Sequence, residues 1–100
     1  MKLLIAVDME GISGVVNWEQ VKPGTSEWQR FRRIMTEDVN AAISGAMEAG
    51  VNEILVSDGH WNSDNIMIAL LDPRAKLNYG TPKPFSMSEG IDQGVDGLFL

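Results

Sequence analysis

Residues 3–7 read Leu-Leu-Ile-Ala-Val, a continuous apolar run that stops at Asp8. No polar residue alternates within it, so a strand made from it buries both faces. That is the habit of parallel sheets covered by crossover helices, not of sheets with one wet face. A second run, Ile54 to Val56 within residues 52–58, also leads into an aspartate, Asp58. Two buried strands that each end on a carboxylate restrict the chain to α/β architectures.

The stretch between the runs supports that reading. Residues 9–26 are irregular and glycine-rich (Gly11, Gly14, Pro23, Gly24), which predicts a long functional loop. From Glu27 to Ala49, apolar residues fall at Trp28, Phe31, Met35, Val39, Ala42, Ala46 and Ala49, the three-and-four spacing of one helix face. Thr25 and Ser26 offer an N-cap ahead of Glu27, and Gly50 stands where a left-handed C-cap is needed.

After the Gly59 and His60 turn, Asn62 or Ser63 can cap a shorter helix through Ile66, Ala69 and Leu70, stopped by Asp72 and Pro73. A third strand is expected over 75–79, a two-proline loop over 80–84, a helical turn within 85–90 and a fourth strand opening at Leu98. The alternation implies right-handed crossovers. The expected fold is a three-layer α/β arrangement, a mainly parallel sheet with helices on both faces. Because an apolar strand begins at Leu98, the 100 residues are expected to be the N-terminal part of a single larger domain.

Length and composition suit one soluble globular unit: 44% hydrophobic and 22% charged residues over 100 positions. The formal charge of -6 leaves nothing to neutralise a run of phosphates, so a nucleic-acid partner is not expected. Arg30, Arg32 and Arg33 are flanked by Glu27, Glu37 and Asp38 and read as a solvated helix face. Without cysteine there is no disulfide, thiolate zinc site or cysteine nucleophile. The first apolar run is too short for a signal sequence or a membrane span, so a cytoplasmic protein without a membrane partner is expected.

Ligands of open α/β sheets bind beyond the carboxyl ends of the strands, and both acidic motifs sit there. If the backbone stays extended through Glu10, Asp8 and Glu10 point the same way with Cα atoms roughly 6.5–7 Å apart. Such a pair repels unless a cation lies between. Two cations ~3.5–4 Å apart, bridged by one carboxylate, would make a hydrolytic centre. His60 adds an imidazole, which suits zinc better than magnesium. The predicted metal ligands are therefore Asp8, Glu10 and His60, with Asp58 orienting His60. Each has an ordinary alternative: Asp8 and Asp58 as loop caps, Glu10 as a turn residue, His60 as a structural loop histidine. Glu89 reads as a solvated acid, and Trp18, Trp28 and Trp61 as packing or interface residues. Met9, Met35, Met47 and Met67 read as core filler.

The segment Val7-Asp8-Met9-Glu10-Gly11-Ile12-Ser13-Gly14 resembles the signature of the DppA-like D-aminopeptidase family. The resemblance continues through Arg33-Ile34-Met35-Thr36-Glu37, Val56-Ser57-Asp58-Gly59-His60, and Lys83-Pro84-Phe85-Ser86-Met87 with Glu89-Gly90. It implies a binuclear zinc aminopeptidase that releases N-terminal D-amino acids such as D-Ala from short peptides. It further implies that the position of Asp8 bridges two zinc ions, Glu10 binds one and His60 the other. The family's remaining ligands, a His and a Glu, and its catalytic His lie downstream of the matched region, so no catalytic residue is expected among these 100. A ring-like homodecamer is implied as well. Competing readings are a DEDD-type two-metal exonuclease, which needs an antiparallel hairpin after the first strand, and a haloacid-dehalogenase-like phosphatase, whose acid pair is Asp-x-Asp. A degenerate assembly module without catalysis is the non-enzymatic alternative.

Overall fold

The first apolar run forms strand β1 (Lys2–Val7) in the computed structural model, which describes residues 1–81 and 94–100. The other strands are β2 (Glu53–Asp58), β3 (Ala75–Asn78) and β4 (Gly97–Phe99). They make one sheet in the order β3-β2-β1-β4, with every pairing parallel. Leu3 pairs with Ile54 and Val7 with Asp58, so β1 and β2 end side by side. Leu3 also pairs with Gly97. A Cβ built on Gly97 would lie 3.2 Å from Leu3 Cδ1, so the close approach of β4 favours glycine there.

Helix α1 (Ser26–Glu48) carries the chain from β1 to β2. The Thr25 side chain caps it by accepting from the Trp28 amide at 3.0 Å. At the other end Gly50 takes φ 99°, and the Gly50 and Val51 amides donate to the Met47 and Ala46 carbonyls. That left-handed cap consumes carbonyls the helix would leave unpaired. Phe31, Met35, Val39, Ile43 and Ala46 of α1 pack against Leu3, Ile5, Ile54 and Val56. Ile43 completes the stripe in place of Ala49, which is exposed at the cap. Leu4, Ala6 and Leu55 point to the opposite face and are buried too. Burial of both faces is what the uninterrupted apolar runs require.

The fold is therefore α/β with a parallel sheet, as expected, but the helical layers differ in detail. The shorter helix expected through Ile66 and Leu70 does not form; the segment is a series of turns. Trp61 and Ser63 take φ 52° and 60°, outside helical space. Beyond isolated turn bonds, such as those of the Leu70 and Leu71 amides to the Met67 carbonyl, the backbone finds partners on α1. The Met67 amide donates to Thr36 Oγ1 at 2.9 Å, and the Asp72 amide to Asn40 Oδ1 at 2.7 Å. The Leu70 carbonyl accepts from Asn40 Nδ2 at 2.8 Å, and that of Asn65 from Arg32 Nε at 2.9 Å. Ile66 drops into the same core as α1 while Ile68 and Leu70 remain exposed. Among the described residues, α1 is the one α-helix and it covers one face of the sheet. The loop through Pro84, the helical turn expected within 85–90, and Glu89 lie outside the described residues. Among those described, no helix is long and apolar enough to cross a membrane.

Candidate metal centre

The register that sets Val7 beside Asp58 brings both strand ends to one edge of the sheet. Asp8 leaves β1 still extended, at φ -129° and ψ 142°. The chain does not stay extended through Glu10, as the spacing argument assumed. It turns into a single 3-10 turn over Met9–Gly11, which Asp8 caps by accepting from the Met9 amide at 2.8 Å. The turn drives Met9 into the core and lets Glu10 swing back over Asp8. The two carboxylates converge by this route.

Their meeting point is His60. Its Nδ1 lies 3.0 Å from Asp8 Oδ1 and 3.0 Å from Glu10 Oε1. One ligand atom from each residue lies within 4.8 Å of the others. The imidazole is buried, whereas the Asp8 and Glu10 side chains are 42% and 54% exposed. The cluster is thus rooted on one side and open to solvent on the other.

The second ring nitrogen decides what the first can do. Nε2 of His60 lies 2.6 Å from the Val21 carbonyl oxygen, which can only accept, so Nε2 carries a hydrogen. In the neutral ring Nδ1 is then a lone pair aimed at two carboxylates. Three electron-rich groups at that range repel unless a proton or a cation sits among them. Imidazole held at its far nitrogen by a backbone carbonyl is the usual arrangement of a metal-ligating histidine. Ligand atoms 2.0–2.1 Å from a tetrahedral zinc stand roughly 3.3 Å apart, close to the 3.0 Å that separates Nδ1 from each carboxylate oxygen. One imidazole and two carboxylates also leave an open coordination position, as catalytic zinc sites do.

Asp58 acts through the loop that carries His60. It is fully buried and accepts from the Asn65 and Ile66 amides at 2.7 and 2.8 Å, from Asn65 Nδ2 at 3.0 Å, and from the His60 amide at 3.3 Å. Its bonds to His60 therefore run through the backbone, while Val21, Asp8 and Glu10 surround the ring nitrogens. Asn65 is the residue that sequence reasoning missed. Its Nδ2 also donates to the His60 carbonyl at 2.6 Å, and its Oδ1 accepts from Trp28 Nε1 at 2.8 Å. One buried amide thus ties helix α1, Asp58 and the histidine together. A cavity of about 540 Å³ runs from Asp8 and Gly11 past Ile12 and Asp38 to Phe99. It opens between β1 and β4, where the sheet order reverses, as expected of a ligand crevice in such sheets.

Known proteins resemble this chain along its whole length. The family model described as D-aminopeptidase matches residues 1–100. A D-aminopeptidase of Bacillus subtilis (strain 168) is 46% identical over 101 aligned positions, covering 100% of this chain and 37% of that protein. The solved structure of the zinc-dependent D-aminopeptidase DppA from Bacillus subtilis, a self-compartmentalizing protease, superposes with a TM-score of 0.93 at 46% identity. It too is covered over 37% of its length, so the chain spans little more than a third of these relatives.

Proposed function

The chain belongs to the D-aminopeptidase family, and from that premise we propose that it supplies part of the metal centre of a zinc-dependent aminopeptidase. The observation that carries this is the His60 imidazole, tied at Nε2 to the Val21 carbonyl and aiming Nδ1 at Asp8 and Glu10. In the full reading Asp8, Glu10 and His60 would hold part of a two-zinc site. Substrates are short peptides with a free N-terminus, D-Ala peptides among them. The remaining ligands and the catalytic histidine of the family lie outside these 100 residues. A ring-like homo-oligomer is part of the proposal, in keeping with the self-compartmentalizing relative. So is a cytoplasmic location.

Bound zinc would supply Lewis acidity, polarising the scissile carbonyl and making water a better nucleophile. The chain's own residues do the rest. Asp8 and Glu10 bring negative charge to an exposed edge, which holds the ions and attracts the α-ammonium group of a peptide. Capture of that ammonium restricts cleavage to the terminus. The Val21 carbonyl fixes the ring of His60 in place and keeps the Nδ1 lone pair turned towards the two carboxylates. The exonuclease reading is not favoured, because α1 and a parallel strand follow β1, not an antiparallel hairpin.

The test is Asp8→Ala in the full-length protein, with zinc stoichiometry and hydrolysis of D-Ala p-nitroanilide and its L counterpart as readouts. Loss of both zinc and hydrolysis is expected. Retention of both defeats the assignment, and a wild-type protein that binds no zinc is the degenerate assembly module instead.

A further inference from the structure

Two of the three tryptophans are not packed away. Trp28 is half-buried and bonded to Asn65, but Trp18 and Trp61 are each 53% exposed. They arrive from different segments: Trp18 opens a 3-10 turn (Trp18–Gln20) in the loop after β1, and Trp61 directly follows His60. Their ring centroids lie 5.7 Å apart at a 48° tilt, and Trp61 stands 6.1 Å from the imidazole of His60. Trp18 also shares a cavity of about 340 Å³ with Glu10, Val15, Val16 and Val21.

We propose that Trp18 and Trp61 form an aromatic subsite beside the metal centre, which takes a hydrophobic, preferably aromatic, side chain flanking the scissile bond of the peptide substrate. The inference rests on the aminopeptidase reading and names the substrate class for that same site. Three observations carry it. The pair touches the centre at both ends, Trp61 against His60 and Trp18 sharing a cavity with Glu10. The cavity, which Trp18 lines, is at the small end of the ~300–1,000 Å³ range of ligand pockets and has room for a bulky side chain. Trp61 is held at φ 52°, a conformation bulky residues seldom adopt, and such departures cluster at ligand clamps. The turn that holds it is pinned by the Ser63 amide on the His60 carbonyl at 2.8 Å and by the Gly80 amide on the Ser63 carbonyl at 2.6 Å. Two tilted indoles offer both a face and an edge to a third ring.

The experiment measures kcat/KM of the zinc-loaded full-length protein on Ala-Ala-amide, Phe-Ala-amide and Ala-Phe-amide, in D and L forms. One of the two Phe peptides is expected to be preferred over Ala-Ala-amide. That preference should fall roughly tenfold in Trp18→Ala and in Trp61→Ala. It should largely return in Trp18→Phe and Trp61→Phe, which keep an aromatic face, with circular dichroism verifying that each variant is folded. A wild type that cleaves Ala-Ala-amide but favours neither Phe peptide overturns the subsite alone. So does a preference that both alanine variants leave unmoved. If those variants instead change the oligomer mass while the preference stands, the pair is a contact between copies and the proposal fails. A wild type that cleaves none of the three peptides overturns the aminopeptidase reading and the subsite with it.

Discussion

Nε2 of His60 and the carbonyl oxygen of Val21 lie 2.6 Å apart, joining the end of β2 to the long loop after β1. Val21 is itself buried, so the loop that presents the carbonyl is anchored in the core. The bond fixes the tautomer, with hydrogen on Nε2 and Nδ1 left for the metal. As the sole histidine in the sequence, His60 is a single-residue probe in this chain. Long-range ¹H–¹⁵N correlation of the neutral ring should show a pyrrole-like Nε2 and a pyridine-like Nδ1, and zinc should move the Nδ1 resonance. Hydrogen on Nδ1, or a zinc-induced shift confined to Nε2, contradicts the assignment.

Asp8 and Glu10 are held close to the Nδ1 lone pair of His60, an arrangement that favours binding over stability. Asp8→Asn keeps an oxygen to cap the Met9 amide while removing one charge. Without zinc the variant should melt at the wild-type temperature or above it. Zinc at a hundredfold excess over its Kd should stabilise the wild type by about 2.7 kcal/mol. In the variant most of that gain should vanish. Thermal scans with and without zinc check both halves, and an equal zinc-induced rise in the two proteins would rule the ligand role out.

The Asp58 carboxylate and the Asn65 amide hold the His60 loop from beneath. Asn65→Ala removes three side-chain bonds, leaving the Trp28 indole N–H and the His60 carbonyl to find other partners. A cost of about 2–3 kcal/mol is expected in urea denaturation. Zinc affinity should also fall by roughly 10–100-fold, the usual effect of losing a group that orients a ligand. Asp58→Asn should do the same, since an amide cannot accept all the bonds the carboxylate now accepts. Unchanged zinc affinity in a destabilised but folded variant would make the network structural only.

The strands and α1 were legible because their signals are local. An uninterrupted apolar run means a strand covered on both faces, and Thr25 and Gly50 mark the helix ends by their own chemistry. The nearness of Asp8, Glu10 and His60 followed from the rule that sites sit at strand ends. The route did not, because whether Met9 extends or turns inward depends on room in the core. Val21 contributes a main-chain oxygen, which no side-chain letter announces. Asn65 draws its role from Trp28, 37 positions away, and from a carboxylate 7 positions away. The spacing of Ile66, Ala69 and Leu70 looked helical because periodicity cannot register that α1 offers the segment better hydrogen-bond partners.

That last competition yields a test of its own. Thr36 is fully buried in α1; its hydroxyl donates to the Arg32 carbonyl at 2.9 Å and accepts from the Met67 amide at 2.9 Å. Thr36→Val keeps the shape and deletes the hydroxyl, so the Met67 amide loses its partner. A half-buried amide without a partner costs about 1–2 kcal/mol. The melting temperature should drop by a few degrees. Thr36→Ser, which restores the hydroxyl and leaves only a methyl-sized void, should recover part of the loss. If the valine variant is as stable as the wild type, the Thr36 bond does not hold the loop, and its ties to α1 rest on Arg32 and Asn40.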